Sequence, residues 1–379
     1  MVKFSELCVE RPLGSSGNNE VIKSLTSGFS ELNYTSIELP MECTVWNSDH
    51  SYIRQNDTML KINPGPFSLD LSGNFPAKSL SNVSELRSVN RFSGILIFKD
   101  DLAKETIMPK NYPFYFPDEH RDIYDLIETI QPRGIIAITG KDTSSGMNPF
   151  PLFEDANMLI PTAFVQNINR IDCSKEISIT INSGRKKAKS KQLIFRKEGT
   201  EKEIILVCAH MDSKYFTNAA LDNASGVYTL YETARLIDNN TYTIEIVPFN
   251  GEESPEAAGE LAYLQYLSDN NYTVKTVINI DSPGHIGSEN AFSFYNFDEN
   301  KKKQLTAENR INEGTQWYSG DHAMFMFREI PCIAITSSDM FEDSINLTHT
   351  EKDTPGKIDI NLLTQLSKTI AKIINNLRQ

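Results

Sequence analysis

Several things are missing or scarce in this chain of 379 residues, and each shortage removes a class of reading. No stretch approaches the ~18 consecutive apolar residues of a membrane-spanning helix, so no membrane partner is expected. Cysteine is sparse: Cys8, Cys43, Cys173, Cys208 and Cys332 are odd in number, scattered and without CxxC spacing. That argues against a disulfide framework or a thiolate zinc site and for a reducing compartment. Met1-Val2-Lys3-Phe4-Ser5-Glu6 shows no basic segment followed by an apolar one, so the expected location is cytoplasmic. Basic residues are outnumbered, 37 against 50 acidic, for a formal net charge of −13. A nucleic-acid partner, which normally meets a basic face, is not expected. Arg185, Lys186, Lys187, Lys189 and Lys191 form one basic cluster between two strand-like runs, and it reads as a solvated hairpin tip that keeps an edge soluble. No GxSxG or comparable cysteine setting occurs, which leaves nucleophilic hydrolysis without support.

What is present is enough chain for two or three globular domains, with 39% hydrophobic and 23% charged residues. A helix is expected around Glu20–Glu31 and a strand near Ile37–Leu39. Between about Thr44 and Ile160 proline and glycine cluster around the strand Gly94–Phe98, the helix Asp122–Ile130 and the strand Gly134–Thr139. From Ile177 onward strands alternate with amphipathic helices. The strands are Ile177–Ile181, Gln192–Phe195, Ile204–Ala209, Tyr242–Phe249, Thr276–Ile280, Ala291–Phe294 and Pro331–Thr336. The helices are Ala224–Asp238, Glu256–Asn270, Asp298–Asn312, His322–Arg328 and Ile360–Leu377. This alternation predicts an α/β fold with a mixed, largely parallel sheet and helices on both faces.

Functional groups of such sheets collect at the carboxyl ends of the strands. Four strand ends here carry acids or histidine: His210 and Asp212, then Glu252 and Glu253, then Asp281, then a long loop reaching His349. Asp222 lies in the loop after the first of these strands. Each has an ordinary explanation alone. A strand-end histidine is commonly a hydrogen-bonded core residue, and a Glu-Glu pair before a helix a solvated first turn. Asp281 before Ser-Pro-Gly opens a turn, Asp222 suits a helix cap, and His349 sits in a polar loop. Together they are two imidazoles and several carboxylates aimed at one place, an N/O donor set suited to zinc and too rich for one ion.

The motifs Ala209-His210-Met211-Asp212-Ser213, Asp222-Asn223-Ala224-Ser225-Gly226, Gly251-Glu252-Glu253, Ile280-Asp281 and His349-Thr350-Glu351-Lys352-Asp353-Thr354 follow one another in this order. In these residues, and in Arg11-Pro12-Leu13-Gly14-Ser15 near the start, the chain resembles the co-catalytic di-zinc exopeptidases of metallopeptidase family twenty-eight. The resemblance implies the zinc aminopeptidase fold over 1–43 and 166–379, with a smaller, β-rich protease-associated-like domain inserted at 44–165, a segment that a simple spacer would equally explain. It implies two zinc ions bridged by Asp222, one also held by His210 and Asp281, the other by Glu253 and His349. Glu252 would be the general base, and Asp212 would accept the second N–H of the His210 imidazole. A cis peptide after Asp222 is implied as well. Ser319-Gly320-Asp321-His322 is a variant, with an added glycine, of a Ser-Asp-His motif of the family, so Asp321 and His322 are candidates to line the site or to start a helix. Thr348 stands where the family often has an aromatic residue. His50, His120 and His285 receive no role, and Met324, Phe325 and Met340 are candidates for an apolar specificity pocket.

The expected activity is therefore removal of N-terminal residues from peptide substrates. Three alternatives stay open: a carboxypeptidase, a glutaminyl cyclase on the same scaffold, and a non-catalytic binding module. A carboxypeptidase needs a cation for the substrate carboxylate, and Lys214 is the one Lys or Arg in the loops 212–223, 281–289 and 337–348. A cyclase need not keep five ligands, and a binding module typically loses ligands or the base.

Overall fold

Tyr242–Phe249 is buried at all eight positions, and Ile204–Ala209 is wholly buried too. Successive strand residues point to opposite faces, so both faces of the sheet must be covered at these strands. They lie at the centre of one of two compact units into which the chain divides, Met1–Cys43 with Lys189–Gln379. The other unit is Thr44–Ala188. This computed structural model describes every residue except 111, 141, 142, 144–151, 239, 240, 343–345, 378 and 379. No described helix is long and apolar enough to cross a membrane.

In the first unit, four parallel strands run in the spatial order Tyr242–Phe249, Glu201–His210, Val274–Ile280, Cys332–Ser337. Asn290–Tyr295 closes one edge antiparallel, and the Phe195–Lys197 end of a longer strand closes the other. The parallel registers His210↔Phe249 and Ile280↔Ile335 bring the carboxyl ends of all four level. The helices Ser225–Leu236 and Ile360–Asn376 bury Val227, Leu230, Tyr231, Leu366, Ile370 and Ile374 in the same core as the strand residues Ile205, Val207, Ile244 and Ile278. Burying each such side chain is worth roughly 1.5–3 kcal/mol. Phe29, from the N-terminal helix Ser16–Ser30, stacks on Phe195 at 3.9 Å between ring centroids and meets Tyr231 edge-on. The N-terminal segment is thereby part of this core.

In the second unit Leu71–Leu80, Ile95–Phe98, Gly134–Ile138 and Thr162–Val165 are parallel neighbours in that order. Thr58–Pro64 joins antiparallel. Its core gathers Ile53, Ile62, Ile95, Ile97, Ile136, Val165, Ile177 and Ile179.

Three sequence expectations are corrected. The short strand at Ile37–Leu39 is part of a strand running Thr35–Gln55. Ile177–Ile181 and Gln192–Phe195 are not the arms of a hairpin but parts of one strand, Glu176–Lys197, with the basic cluster in its interior. The long side chains make this possible by lying along protein. Arg185 donates to Phe67 O, and Lys187 donates to Thr44 Oγ1. Phe325, expected near a specificity pocket, is 1% exposed with its ring 6.2 Å from that of Tyr263. It packs inside the core.

Candidate metal centre

The level strand ends converge as the sequence suggests. His210 is the last residue of its strand, and Glu252 and Glu253 follow Phe249 through Gly251, whose φ of +136° suits glycine. Asp281 directly follows Ile280. His349 arrives on the late loop with φ +61°, a left-handed conformation costly for a residue with a side chain. Asp222 sits in an irregular turn, 220–224, with non-helical backbone at Asp222 and Asn223 and a cis peptide between them.

Asp222 is the centre of the arrangement. Its Oδ1 lies 3.0 Å from His210 Nε2, and its Oδ2 lies 3.1 Å from His349 Nε2. His210 Nε2 is also 3.6 Å from Asp281 Oδ1, and His349 Nε2 is 2.9 Å from Glu253 Oε1. Two donor triads result, His210–Asp222–Asp281 and Asp222–Glu253–His349, each with donor atoms within 4.8 Å of one another. A third grouping, His210–Glu252–Glu253, satisfies the same limit, so Glu252 stands within reach of the same space.

Three side chains wire these donors together. Asp353 accepts the backbone N–H of Leu221 at 2.7 Å and of Asp222 at 3.1 Å. Asn223 accepts from Ser282 N and Gly226 N and donates to Ile280 O, which ties the Asp222 turn to the strand end bearing Asp281. A Cβ on Gly226 would lie 2.1 Å from Asn223 Oδ1 and 2.7 Å from Ile280 O, so only glycine allows this approach. Arg11, fully buried, donates to the carbonyls of Val9, Met211, Asn218 and Ala219, and its own N–H reaches Ser213 Oγ. It thus closes both ends of the loop between His210 and Asp222.

Electrostatics follow from burial and proximity. Burial pushes the Glu252 carboxyl well above the usual range, and Glu253, Asp281 and Asp212 reinforce this against the opposing effect of His210. For Asp222 burial is outweighed by the two imidazoles, which hold it below the ordinary carboxylate range. Glu253 is likewise lowered, to about 2, by His349 and Lys214 against burial. Burial disfavours charge on both histidines, yet the carboxylates raise both well above the usual value, Glu252 foremost at His210 and Glu253 at His349. The surrounding acids thus favour the protonated imidazoles. Divalent cations would replace those protons as the imidazoles release them.

The residues fit zinc by that donor chemistry. They fit also by an orphaned buried atom of the donor set, Glu253 Oε1, which makes no hydrogen bond; outside the triads, His210 Nδ1 lacks one as well. It faces Asp212 Oδ1 at 3.9 Å, beyond a hydrogen bond, while Asp212 Oδ2 accepts the backbone N–H of Glu253. Asp212, expected to fix the imidazole, stands on the expected side of it without bonding it here.

Asp321 and His322 are buried beside the site, at the start of the short helix Ala323–Met326. His322 Nε2 lies 3.0 Å from Trp317 O and Nδ1 3.4 Å from Asn279 Nδ2. This network suits a neutral ring protonated at Nε2, and burial moves its pKa down to about 4. Neither oxygen of Asp321 has a hydrogen-bond partner. Burial, then Glu260 and Glu252, push its carboxyl well up. His285 pairs with Asp339 at 2.6 Å instead of joining either triad. Sequence reasoning missed Glu260, whose position within a helix carries no motif, and gave no role to Asn223 or Asp353, although both stand inside the motifs.

Residues 192–374 match the family model described as Peptidase family M28. Among curated protein sequences none matches the chain. Among solved structures, the aminopeptidase from Aneurinibacillus sp. strain AM-1 superposes with a TM-score of 0.71 at 15% identity, over 98% of this chain and 93% of that one. The zinc aminopeptidase BSAP from Bacillus subtilis gives 0.75 at 15% identity, over 99% and 94%. A peptidase M28 precursor from Shewanella amazonensis SB2B gives 0.68 at 17% identity, over 99% and 92%. At such identities the likeness is one of fold.

Proposed function

We propose that this chain, whose residues 192–374 form a domain of peptidase family M28, is a di-zinc aminopeptidase that releases N-terminal residues from peptides. The observation that carries the reading is the position of Asp222, each of whose carboxylate oxygens faces a different histidine of a different donor triad. The titles of the superposed structures, an aminopeptidase and a zinc aminopeptidase, favour the same reading.

His210, Asp222 and Asp281 would hold one ion, and Asp222, Glu253 and His349 the other. Zinc held there would supply Lewis acidity to the scissile carbonyl and would lower the pKa of a water towards ~7. The remaining work falls to the chain. Glu252, adjacent to Glu253 yet needed by neither Asp222-centred triad, takes the proton of the attacking water on a carboxylate oxygen and delivers it to the leaving amine. Its raised proton affinity suits that relay, because the protonated form must persist until the amine departs. The surplus of carboxylates attracts a protonated α-amine at the substrate's N-terminus. A carboxypeptidase reading is disfavoured because Lys214, the loop cation, is already engaged by Glu253 through both its side chain and its carbonyl.

The test is hydrolysis of an aminoacyl anilide and of its N-acetylated counterpart, together with a metal count. Two zinc equivalents, chelator-sensitive release from the free amine and none from the blocked substrate support the proposal. Full activity after exhaustive metal removal sinks it.

A further inference from the structure

Lys214 gives the two halves of the centre different charges. Its Nζ lies 2.8 Å from Glu253 O and 3.3 Å from Glu253 Oε2, with the lysine side chain only 16% exposed. The other oxygen of that carboxylate, Oε1, is the one facing His349 Nε2 at 2.9 Å. Glu253 is therefore divided, one oxygen towards the triad and one towards an ammonium group. Among the described residues the His210–Asp281 side has no equivalent, the ion pair of Asp281 being with His210 itself at 3.6 Å. The buried Arg11 does not restore symmetry. It spends its donors on backbone carbonyls, and among the donor residues it acts on Asp222, which both triads share.

Resting on the di-metal reading above, we propose that Lys214 makes the two metal positions unequal. It confines Glu253 to ligation through Oε1 and weakens the Glu253–His349 position, so that a divalent cation fills the His210–Asp281 position first. The ammonium acts in two opposed ways. It steadies the carboxylate, which favours a metal, and it repels a doubly charged ion, which does not. Repulsion prevails because the glutamate is anchored without the lysine: its backbone N–H is held by Asp212 Oδ2 at 3.1 Å, and its buried Oε1 lies 2.9 Å from His349 Nε2 without a hydrogen bond, open to a metal.

The test is a zinc titration of the metal-stripped full-length protein against a competing chromophoric chelator, with no activity readout. The wild type is expected to bind in two separated steps, and His349→Ala to lose the second while keeping the first. Lys214→Met, which keeps the aliphatic stem, should tighten the second step by about tenfold or more, as expected for removal of a like charge one ligand away. Lys214→Arg, which keeps the charge, should preserve the separation. Two equal steps in the wild type, or a second step unchanged or weakened in Lys214→Met, overturn this inference and leave the proposed function standing. A protein that binds no zinc overturns both.

Discussion

Asp353 Oδ2 accepts the backbone N–H of Asp222 at 3.1 Å while its Oδ1 accepts that of Leu221 at 2.7 Å. The late loop that brings His349 to the centre therefore also fixes the acid on which both triads meet. Asp353 is 0% exposed, so neither N–H has water as a substitute partner. In Asp353→Asn one acceptor becomes an amide NH2 that abuts a buried N–H. The expected loss is about 1–3 kcal/mol of stability, the cost of a buried unsatisfied pair. Zinc retention at both positions should weaken too, because Asp222 serves both. Urea denaturation and a metal count after dialysis check this, and an unshifted midpoint would show the clamp to be idle.

The adjacent glutamates should fail differently. Glu252→Gln removes a proton carrier and leaves both Asp222-centred triads intact, so turnover should fall by about 10²–10⁴ with metal content nearly unchanged. Glu253→Gln weakens a donor facing His349 at 2.9 Å and should lower metal content at that position. The reverse pattern, metal lost in Glu252→Gln and retained in Glu253→Gln, would exchange the two roles and match the alternative grouping of Glu252 with His210 and Glu253.

Several donors were legible because they stand at the ends of apolar strands, which in such a sheet point to one place, whereas Asp222 and His349, in loops, took their roles from the family's motifs. His210, Asp281 and the Glu252–Glu253 pair could be read in this way, and the parallel strands with them. Glu260 was not legible. It lies inside the helix Ala258–Asp269, where a glutamate ordinarily faces solvent, and its burial follows from packing. Arg11 showed itself as part of a motif but not as a clamp, because its partners are carbonyls some 200 residues away in sequence. The Glu176–Lys197 strand was misread at its basic middle because local charge suggests a turn, whereas tertiary contacts of Arg185 and Lys187 keep it extended.

Metal removal should destabilise the fold measurably. The centre packs Asp212, Asp222, Glu252, Glu253 and Asp281 with His210 and His349 on four separate strand-end loops, and these acids raise the proton affinity of both histidines. A ligand that binds only the folded state at 1,000 times its Kd adds about 4 kcal/mol. Chelation should therefore lower the thermal midpoint, and added zinc should restore it. Because the imidazoles must shed protons raised above their usual affinity, zinc affinity should climb with pH across the neutral range. A midpoint indifferent to chelator would argue against a metal at this site.

Glu260 offers a pH test that does not depend on catalysis. Burial, reinforced by Asp212, pushes its carboxyl from the ordinary 4.5 up to about 8, and its Oε2 has no hydrogen-bond partner. Between those two values the folded chain keeps a proton that the unfolded chain has released. The folded state then binds more protons, so stability falls as pH rises from about 4.5 to about 8 and levels off above. Each pH unit in that window is worth at most about 1.4 kcal/mol. Glu260→Gln keeps the shape of the side chain and removes the titration. Compared with wild type in urea denaturation at pH 5.5 and pH 7.5, at equal zinc, the variant should gain about 1–3 kcal/mol over the two-unit span. Most other titrating groups are common to both proteins and cancel in the difference. Parallel stability curves would show that Glu260 is ionised in the folded state, which would require a cation or a donor beside it.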